Sequence, residues 1–301
     1  MSLIKKTNNT KSNQYLITNK EIGDLIELGI AEDLGQDGDI TSLYTISSNK
    51  NIRFQIVNRE PIVLCGIDIA LKIFSAIDKK FKTKTNIKTY YQDGKFLPEN
   101  TKILEGFGNA IAIFAAERLA LNLIQHLSGI ATTTNQYIKK LTGETKILDT
   151  RKTIIGLRKL QKYAVRTGGG ANHRLALYDG ILIKDNHIAA CGGVKKAIDV
   201  VRKNLAKNNI KIPIEVECDN LSQVKEALIA KAEIIMLDNM NLSQIKKAVS
   251  LINKRAKIEV SGGINLKKIS AISKAGVDYI SVGALTHSVK AVDIGLDIIQ
   301  S

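Results

Sequence analysis

The chain has no tryptophan, and aromatic residues make up only 5% of it, so it lacks the material of a base-stacking platform for nucleic acid. Its three cysteines, Cys65, Cys191 and Cys218, are too few and too scattered for a disulfide framework, and none forms a C-x-x-C pair. No stretch approaches the ~18 consecutive apolar residues expected of a membrane span. The opening MSLIKKTNNTKSNQ carries lysines but no apolar core behind them, unlike a secretory signal. These absences point to a soluble protein of a reducing cytoplasm. What remains is globular in composition, 44% hydrophobic and 24% charged, which excludes disordered, collagenous and coiled-coil classes. At 301 residues the chain fits one large domain or two ordinary ones.

Acidic residues are also in short supply, 29 against 44 basic ones, leaving a formal charge of +15. Such a surplus would suit a nucleic-acid partner. However, 35 of the basic residues are lysines, spread over surface-type helical patterns such as VKKAIDVVRKNLAKNNIK. The arginines are clustered instead. Five of the nine (Arg118, Arg151, Arg158, Arg166, Arg174) fall between residues 118 and 174. Arginine is the side chain that grips planar carboxylates and phosphates through paired hydrogen bonds.

Residues 1–13 are polar and read as a mobile N-terminus. From Asn19 to Leu34 apolar residues recur at helical spacing, with Asn19 placed to cap the helix. The β-rich runs FQIVNREPIVLCG, NIKTYYQDGKFL and KILEGFGNAIA follow, punctuated by the turn signal Asp93-Gly94 and by a helix over IDIALKIFSAI. They predict a small α+β domain ending near residue 110, which with the long helix over 110–127 makes a first domain of 14–127; that helix carries Arg118, Asn122 and Gln125 off its apolar stripe. His126, on the same helix, reads as packing or capping. Over 128–286 the short apolar runs KILDTRK, DGILIKDNH, IPIEVECD, AEIIMLDN, KIEVSGG and VDYISVGA alternate with amphipathic helices. The last four recur at intervals of 21, 23 and 22 residues. Such βα units predict a parallel sheet closed as a (β/α) barrel, with six strands, or seven if one is hidden near GGGANHRLAL.

Each run ends in polar or glycine residues, and in a parallel barrel those ends meet on one face, where such barrels hold their active sites. Polar loops are the ordinary alternative for any one of them. Arg151, Lys152, His173, Arg174 and Lys184 form a cationic group that calls for a multiply charged anion. Glu217 and Asp238 follow on neighbouring strands, placed to hold Mg²⁺ against a substrate phosphate. Ser261, Gly262, Gly263 and Gly283 end the last two strands, where backbone N–H groups can approach a second phosphate. Spacing leaves open whether His287 touches it. In IEVEC the two glutamates are assigned opposite directions, Glu217 to the pocket and Glu215 away from it. Thr167-Gly168-Gly169-Gly170 has two readings, a phosphate cradle or close packing. Cys191 and Cys218 read as structural, with no His-Asn partner for a thiol nucleophile. Together the tips describe a phosphoribosyl donor with an anionic acceptor.

The strings AEDLGQDGDITS, ERLALNLIQHLSGIAT, DTRKT, GLRKLQKYAVRTGGGANHRLALYDGILIKDNHI, EVEC, IMLDNM, EVSGGI and SVGALTHS closely resemble the quinolinate phosphoribosyltransferases, the carboxylating nicotinate-nucleotide pyrophosphorylases. The resemblance implies an N-terminal α/β sandwich, to which the tail 287–301 returns, plus an incomplete seven-stranded (β/α) barrel. It implies a homodimer in which one subunit's sandwich covers the other's barrel mouth, with Arg118 reaching the partner's pocket. The quinolinate site would then be completed by Arg151, Lys152, His173, Arg174 and Lys184, with Lys152, Lys184, Glu217 and Asp238 catalytic. Glu217 and Asp238 would attend the ribose and magnesium pyrophosphate, and Ser261, Gly262, Gly263, Gly283 and His287 the phosphate loops. The implied reaction joins quinolinate to phosphoribosyl pyrophosphate with loss of pyrophosphate and carbon dioxide. One position departs from the family's usual DTRKT-x-PGLR: Ile155 stands before Gly156, a change expected to loosen a turn and spare activity. Rival readings are a transferase for another pyridine carboxylate, a Schiff-base aldolase using Lys184, and a nucleic-acid binder.

Overall fold

The computed structural model describes residues 17–299, so the expected mobile segment 1–13 lies outside the described residues. The chain divides into two compact units. The first holds residues up to 133, 155–169 and those from 288 on; the second holds 134–154 and 170–287.

The first unit opens with α1 (Asn19–Leu34) and α2 (Ile40–Thr45). Thr18, and not Asn19, caps α1: its hydroxyl accepts from the Glu21 amide while the Glu21 carboxylate accepts from the Thr18 amide, a reciprocal box. Next come β1 (Asn51–Asn58), β2 (Ile62–Val63), α3 (Ile67–Phe81), β3 (Asn86–Thr89), β4 (Phe96–Leu97) and β5 (Lys102–Asn109). β1, β3 and β5 lie in one antiparallel sheet, and β2 pairs with β4. In β1 the period of two buries Phe54 and Ile56 on one face. The buried face of α3 (Ile69, Ala70, Ile73, Phe74, Ile77) belongs to the same core, and Phe54 stacks on Phe74 with centroids 5.5 Å apart.

The helix α4 (Ala110–Ile138) is longer than expected, because Ile130 and Ala131 continue its buried stripe past Leu127. By length and composition α4 could cross a membrane, but 56% of its apolar window is buried inside the protein, as in a core helix. After β6 (Lys146–Leu148), helix α5 (Arg158–Thr167), expected within the barrel, groups with the first unit. Its side chains explain this. Lys159 bonds Glu21 at 2.7 Å, Gln161 meets His126 at 2.9 Å, and the Tyr163 hydroxyl donates to Asp93 at 2.7 Å. The Lys159 contact also holds the Glu21 carboxyl down at about 2.

The second unit continues with β7 (Ile181–Ile183), α6 (Asp185–Cys191), α7 (Val194–Lys207), β8 (Ile214–Cys218), α8 (Leu221–Ile229) and β9 (Ile234–Asp238). It ends with α9 (Leu242–Ile252), β10 (Lys257–Ser261), α10 (Ile269–Ser273), β11 (Tyr279–Ser281) and α11 (Ala284–His287). Six strands form a parallel sheet in the order β6-β11-β10-β9-β8-β7. The seventh expected strand is reduced to one parallel bridge, Leu148 with Ala171. Glycines 168–170 stand just before it, and glycine weakens a strand, so the barrel is incomplete. Finally β12 (Ile294–Ile299) returns to the first unit and pairs antiparallel with all six of its residues along β1, giving the sheet order β12-β1-β5-β3.

Phe54→Ala should cost about 3–5 kcal/mol of stability by removing a fully buried ring. Urea unfolding checks this; a midpoint equal to wild type would mean the Phe54–Phe74 stack is not part of the core.

Candidate active site

In β8, β9 and β10 the residues that face the sheet's outer helices are apolar: Val216, Ile235, Leu237, Ile258 and Val260 are all buried. The alternate positions face inward, and at the strand ends they line one cavity of about 620 Å³. β7 leads into Lys184, β8 supplies Glu217, β9 Asp238, and β10 Ser261 followed by Gly262 and Gly263. Gly283 and His287 follow β11, and Arg151 and Lys152 follow β6. His173 and Arg174, after the Ala171 bridge, complete the lining among the expected residues. Arg118 is not in the lining; its side chain is 67% exposed on α4, 3.8 Å from Glu117.

Glu215 points into the barrel, against the outward direction expected from the sequence. Residues two apart on a strand share a face, so Glu215 points inward with Glu217 and lies below it, 7% exposed. The same count applied to β10 and β11 finds Glu259 beneath Ser261 and Ser281 beneath Gly283, both in the cavity lining. Sequence reasoning missed Glu259 and Ser281, although stepping back two residues from each tip would have found them.

The pocket sorts by charge. Arg174 donates from Nη1 to the Gly180 carbonyl at 3.2 Å, while its Nε is buried and finds no acceptor among the described residues. Burial first, and then the neighbouring Arg151, disfavours its charge. A buried donor without an acceptor beside a second guanidinium is the arrangement an anion would complete. Lys184 Nζ stands 3.2 Å from Glu217. Burial raises the Glu217 carboxyl, and Lys184 opposes that rise. Glu217, Asp219 and Asp238 each bring a carboxylate oxygen within 4.8 Å of the others, an all-oxygen set of the kind a hard divalent cation such as Mg²⁺ takes.

The glycine tips are required by their surroundings. Gly262 has φ +89°, and a Cβ there would lie 2.7 Å from the Asn239 backbone nitrogen. A Cβ on Gly283 would press His287 at 3.1 Å and Lys152 at 3.3 Å, so its absence lets both side chains close over the tip. Thr286 Oγ1 fixes the opposite loop by donating to the Lys152 carbonyl at 2.7 Å. In the TGGG run the first two glycines act as helix closure, the packing reading. Gly168 and Gly169 donate their amides to Ala164 and Arg166, closing the end of α5, and neither lines the cavity.

Two family models match in tandem: "Quinolinate phosphoribosyl transferase, N-terminal domain" over residues 39–128 and the C-terminal domain over 130–297. A probable nicotinate-nucleotide pyrophosphorylase [carboxylating] of Bacillus subtilis is 43% identical over 271 residues, covering 90% of this chain and 91% of its own. A chloroplastic relative from rice (Oryza sativa) is 40% identical over 289 residues, covering 91% and 76%. A crystal structure of nicotinate-nucleotide pyrophosphorylase from Ehrlichia chaffeensis superposes with TM-score 0.86 at 43% identity, over 94% of this chain and 99% of that one.

Burial, and then the neighbouring Glu215, raises the Glu259 carboxyl to about 8. A raised carboxyl binds its proton more tightly in the folded state, so its contribution is full at acid pH and is lost as pH climbs towards about 8. The melting temperature should therefore fall over that range, and Glu259→Gln should flatten the fall. Equal slopes for the two proteins would show that Glu259 is not protonated.

Proposed function

Because the chain belongs to the quinolinate phosphoribosyltransferase family, we propose that this pocket moves the phosphoribosyl group of phosphoribosyl pyrophosphate onto quinolinate. Pyrophosphate and carbon dioxide leave, and nicotinate mononucleotide remains, a step of NAD biosynthesis. The observation that carries the reading within the structure is the pairing of Arg151 and the unsatisfied Arg174 beside Lys152 and Lys184 in one cavity with carboxylates and glycine tips.

Arg151 and Arg174 fork the two adjacent carboxylates of quinolinate, a dianion that suits paired guanidinium contacts. Lys152 and Lys184 neutralise the remaining charge and orient the pyridine nitrogen towards the sugar. As the C1–O bond lengthens, the ribose gains positive charge, which the Glu217 and Asp238 carboxylates stabilise electrostatically. The ring nitrogen bonds to C1 as the C1–O bond to pyrophosphate breaks, and becomes cationic. The adjacent carboxylate then leaves its electron pair on the ring carbon as carbon dioxide departs, and that carbon takes up a proton from water. No covalent nucleophile is needed; the protein positions and neutralises. Ser261, Gly262, Gly263, Gly283 and His287 hold phosphate groups. Glu217 and Asp238, with oxygen donors only, would hold Mg²⁺, which when bound neutralises charge on the pyrophosphate.

Arg118 is assigned to a second copy of the chain. Its guanidinium extends into solvent on α4, and in a homodimer it would serve the partner's pocket. A cytoplasmic setting accords with three free cysteines, two of them buried where their thiols are driven away from ionisation. The aldolase alternative needs a free amine at Lys184, which instead stands in an ion pair with Glu217.

Incubation with phosphoribosyl pyrophosphate should release one carbon dioxide and one pyrophosphate per quinolinate, and no carbon dioxide from nicotinate. Turnover of nicotinate alone would make the enzyme a relative acting on another pyridine acid. Arg174→Ala should raise the quinolinate KM about 10- to 100-fold, the loss of a charge-assisted contact. A near-wild-type KM would remove Arg174 from the acceptor site.

A further inference from the structure

Building on the quinolinate reading, we propose that Glu215, Glu259 and Ser281 are positioning residues that set Arg174 for its carboxylate through the ring of His173. His173 turns both ring nitrogens towards the protein. Nδ1 accepts the Arg174 backbone N–H at 2.8 Å, while Nε2 stands 3.2 Å from Glu215 and 3.6 Å from Glu259. A nitrogen that accepts an amide hydrogen carries none of its own, so the ring holds its hydrogen on Nε2 and donates it to the carboxyl pair. His173 therefore links the barrel interior to the main chain of Arg174, and supports the quinolinate site without lending it a ring nitrogen.

The far end of the link is anchored in a dry place. Glu215 is 7% and Glu259 2% exposed, and Ser281 Oγ donates to Glu259 at 2.5 Å. Both carboxyls face the same ring nitrogen, at 3.2 and 3.6 Å, so together they form one acceptor site for Nε2. The near end is held as firmly. Asp149 accepts the His173 amide at 2.9 Å and the Asn172 side chain at 2.5 Å, and Asp179 accepts the Leu175 amide at 2.7 Å. With its amide, both neighbours and one Nη tied down, Arg174 presents its buried Nε in a fixed direction. An arginine fixed in this way loses less freedom when it forks a carboxylate.

Steady-state kinetics and nitrogen NMR test the proposal together. Glu259→Leu should raise the quinolinate KM about tenfold, equivalent to one lost hydrogen bond, and leave the phosphoribosyl pyrophosphate KM within about twofold. Glu259→Gln keeps a hydrogen for Glu215 and an oxygen for Ser281, so it should recover most of that loss. Ser281→Ala, the mildest break, covers the case in which the leucine variant does not fold, and should shift the same KM in the same direction. A folded Glu259→Leu or Ser281→Ala protein with wild-type quinolinate KM, or one in which both KM values rise alike, overturns the proposal. Histidine ¹⁵N signals read the link without substrate: wild type should show His173 as a static Nε2–H ring, and a protonated Nδ1 would overturn it. Failure of the wild-type enzyme to use quinolinate would count against the functional reading, while the NMR result would still decide the link.

Discussion

The site depends on one geometric constraint: in a parallel strand every second side chain points the same way. It sends Val216, Ile235, Leu237, Ile258 and Val260 into the packing with the outer helices, where they are buried. It sends Glu215, Glu217, Asp238, Glu259 and Ser261 inward, beside the apolar Leu182 and Met236. Polar side chains inside a barrel must then be satisfied by one another or by a ligand. Those deep in the barrel satisfy one another, as Ser281, Glu259, Glu215 and His173 do. Those without such a partner, such as the buried Arg174 Nε, are left for what binds.

Both signs of charge meet in the pocket. Arg151, Lys152, Arg174 and Lys184 share the cavity lining with the carboxyls of Glu217, Asp238 and Glu259, the last only 2% exposed. Lys184 and Glu217 pair across the two sets, with Lys184 45% and Glu217 12% exposed. An ion pair there holds each group in place for a different partner.

Much of this could be read in the sequence, because the interior pattern repeats along each strand. The order of βα units, the polar strand tips and their cationic, acidic and glycine character follow from periodicity alone. What was hard to read had physical causes. Arg158 and Arg166 are neighbours of Arg151 in sequence, but α5 belongs to the first unit, held there by Glu21, Asp93 and His126, contacts no local pattern announces. The strand at Ala171 is a single bridge, too short to show a period. Glu215 was legible and was misread: the alternation that places Glu217 inside places Glu215 inside as well. Thr18 and Asn19 are both good caps, and only the reach of Glu21 back to the Thr18 amide decides between them.

The return of β12 has a consequence for how the molecule is made. Its six residues pair with β1 in a register running from Arg53 with Ile299 to Asn58 with Ile294. A strand emerging early from the ribosome must therefore wait for residues 294–299 before its outer edge is covered, with the entire barrel synthesised in between. Until then β1 exposes an open row of backbone donors and acceptors, the kind of edge that recruits other chains. The newborn polypeptide is most exposed to self-association in the interval before β12 is available to pair, and a chain stopped short of Ile294 would remain in that condition permanently.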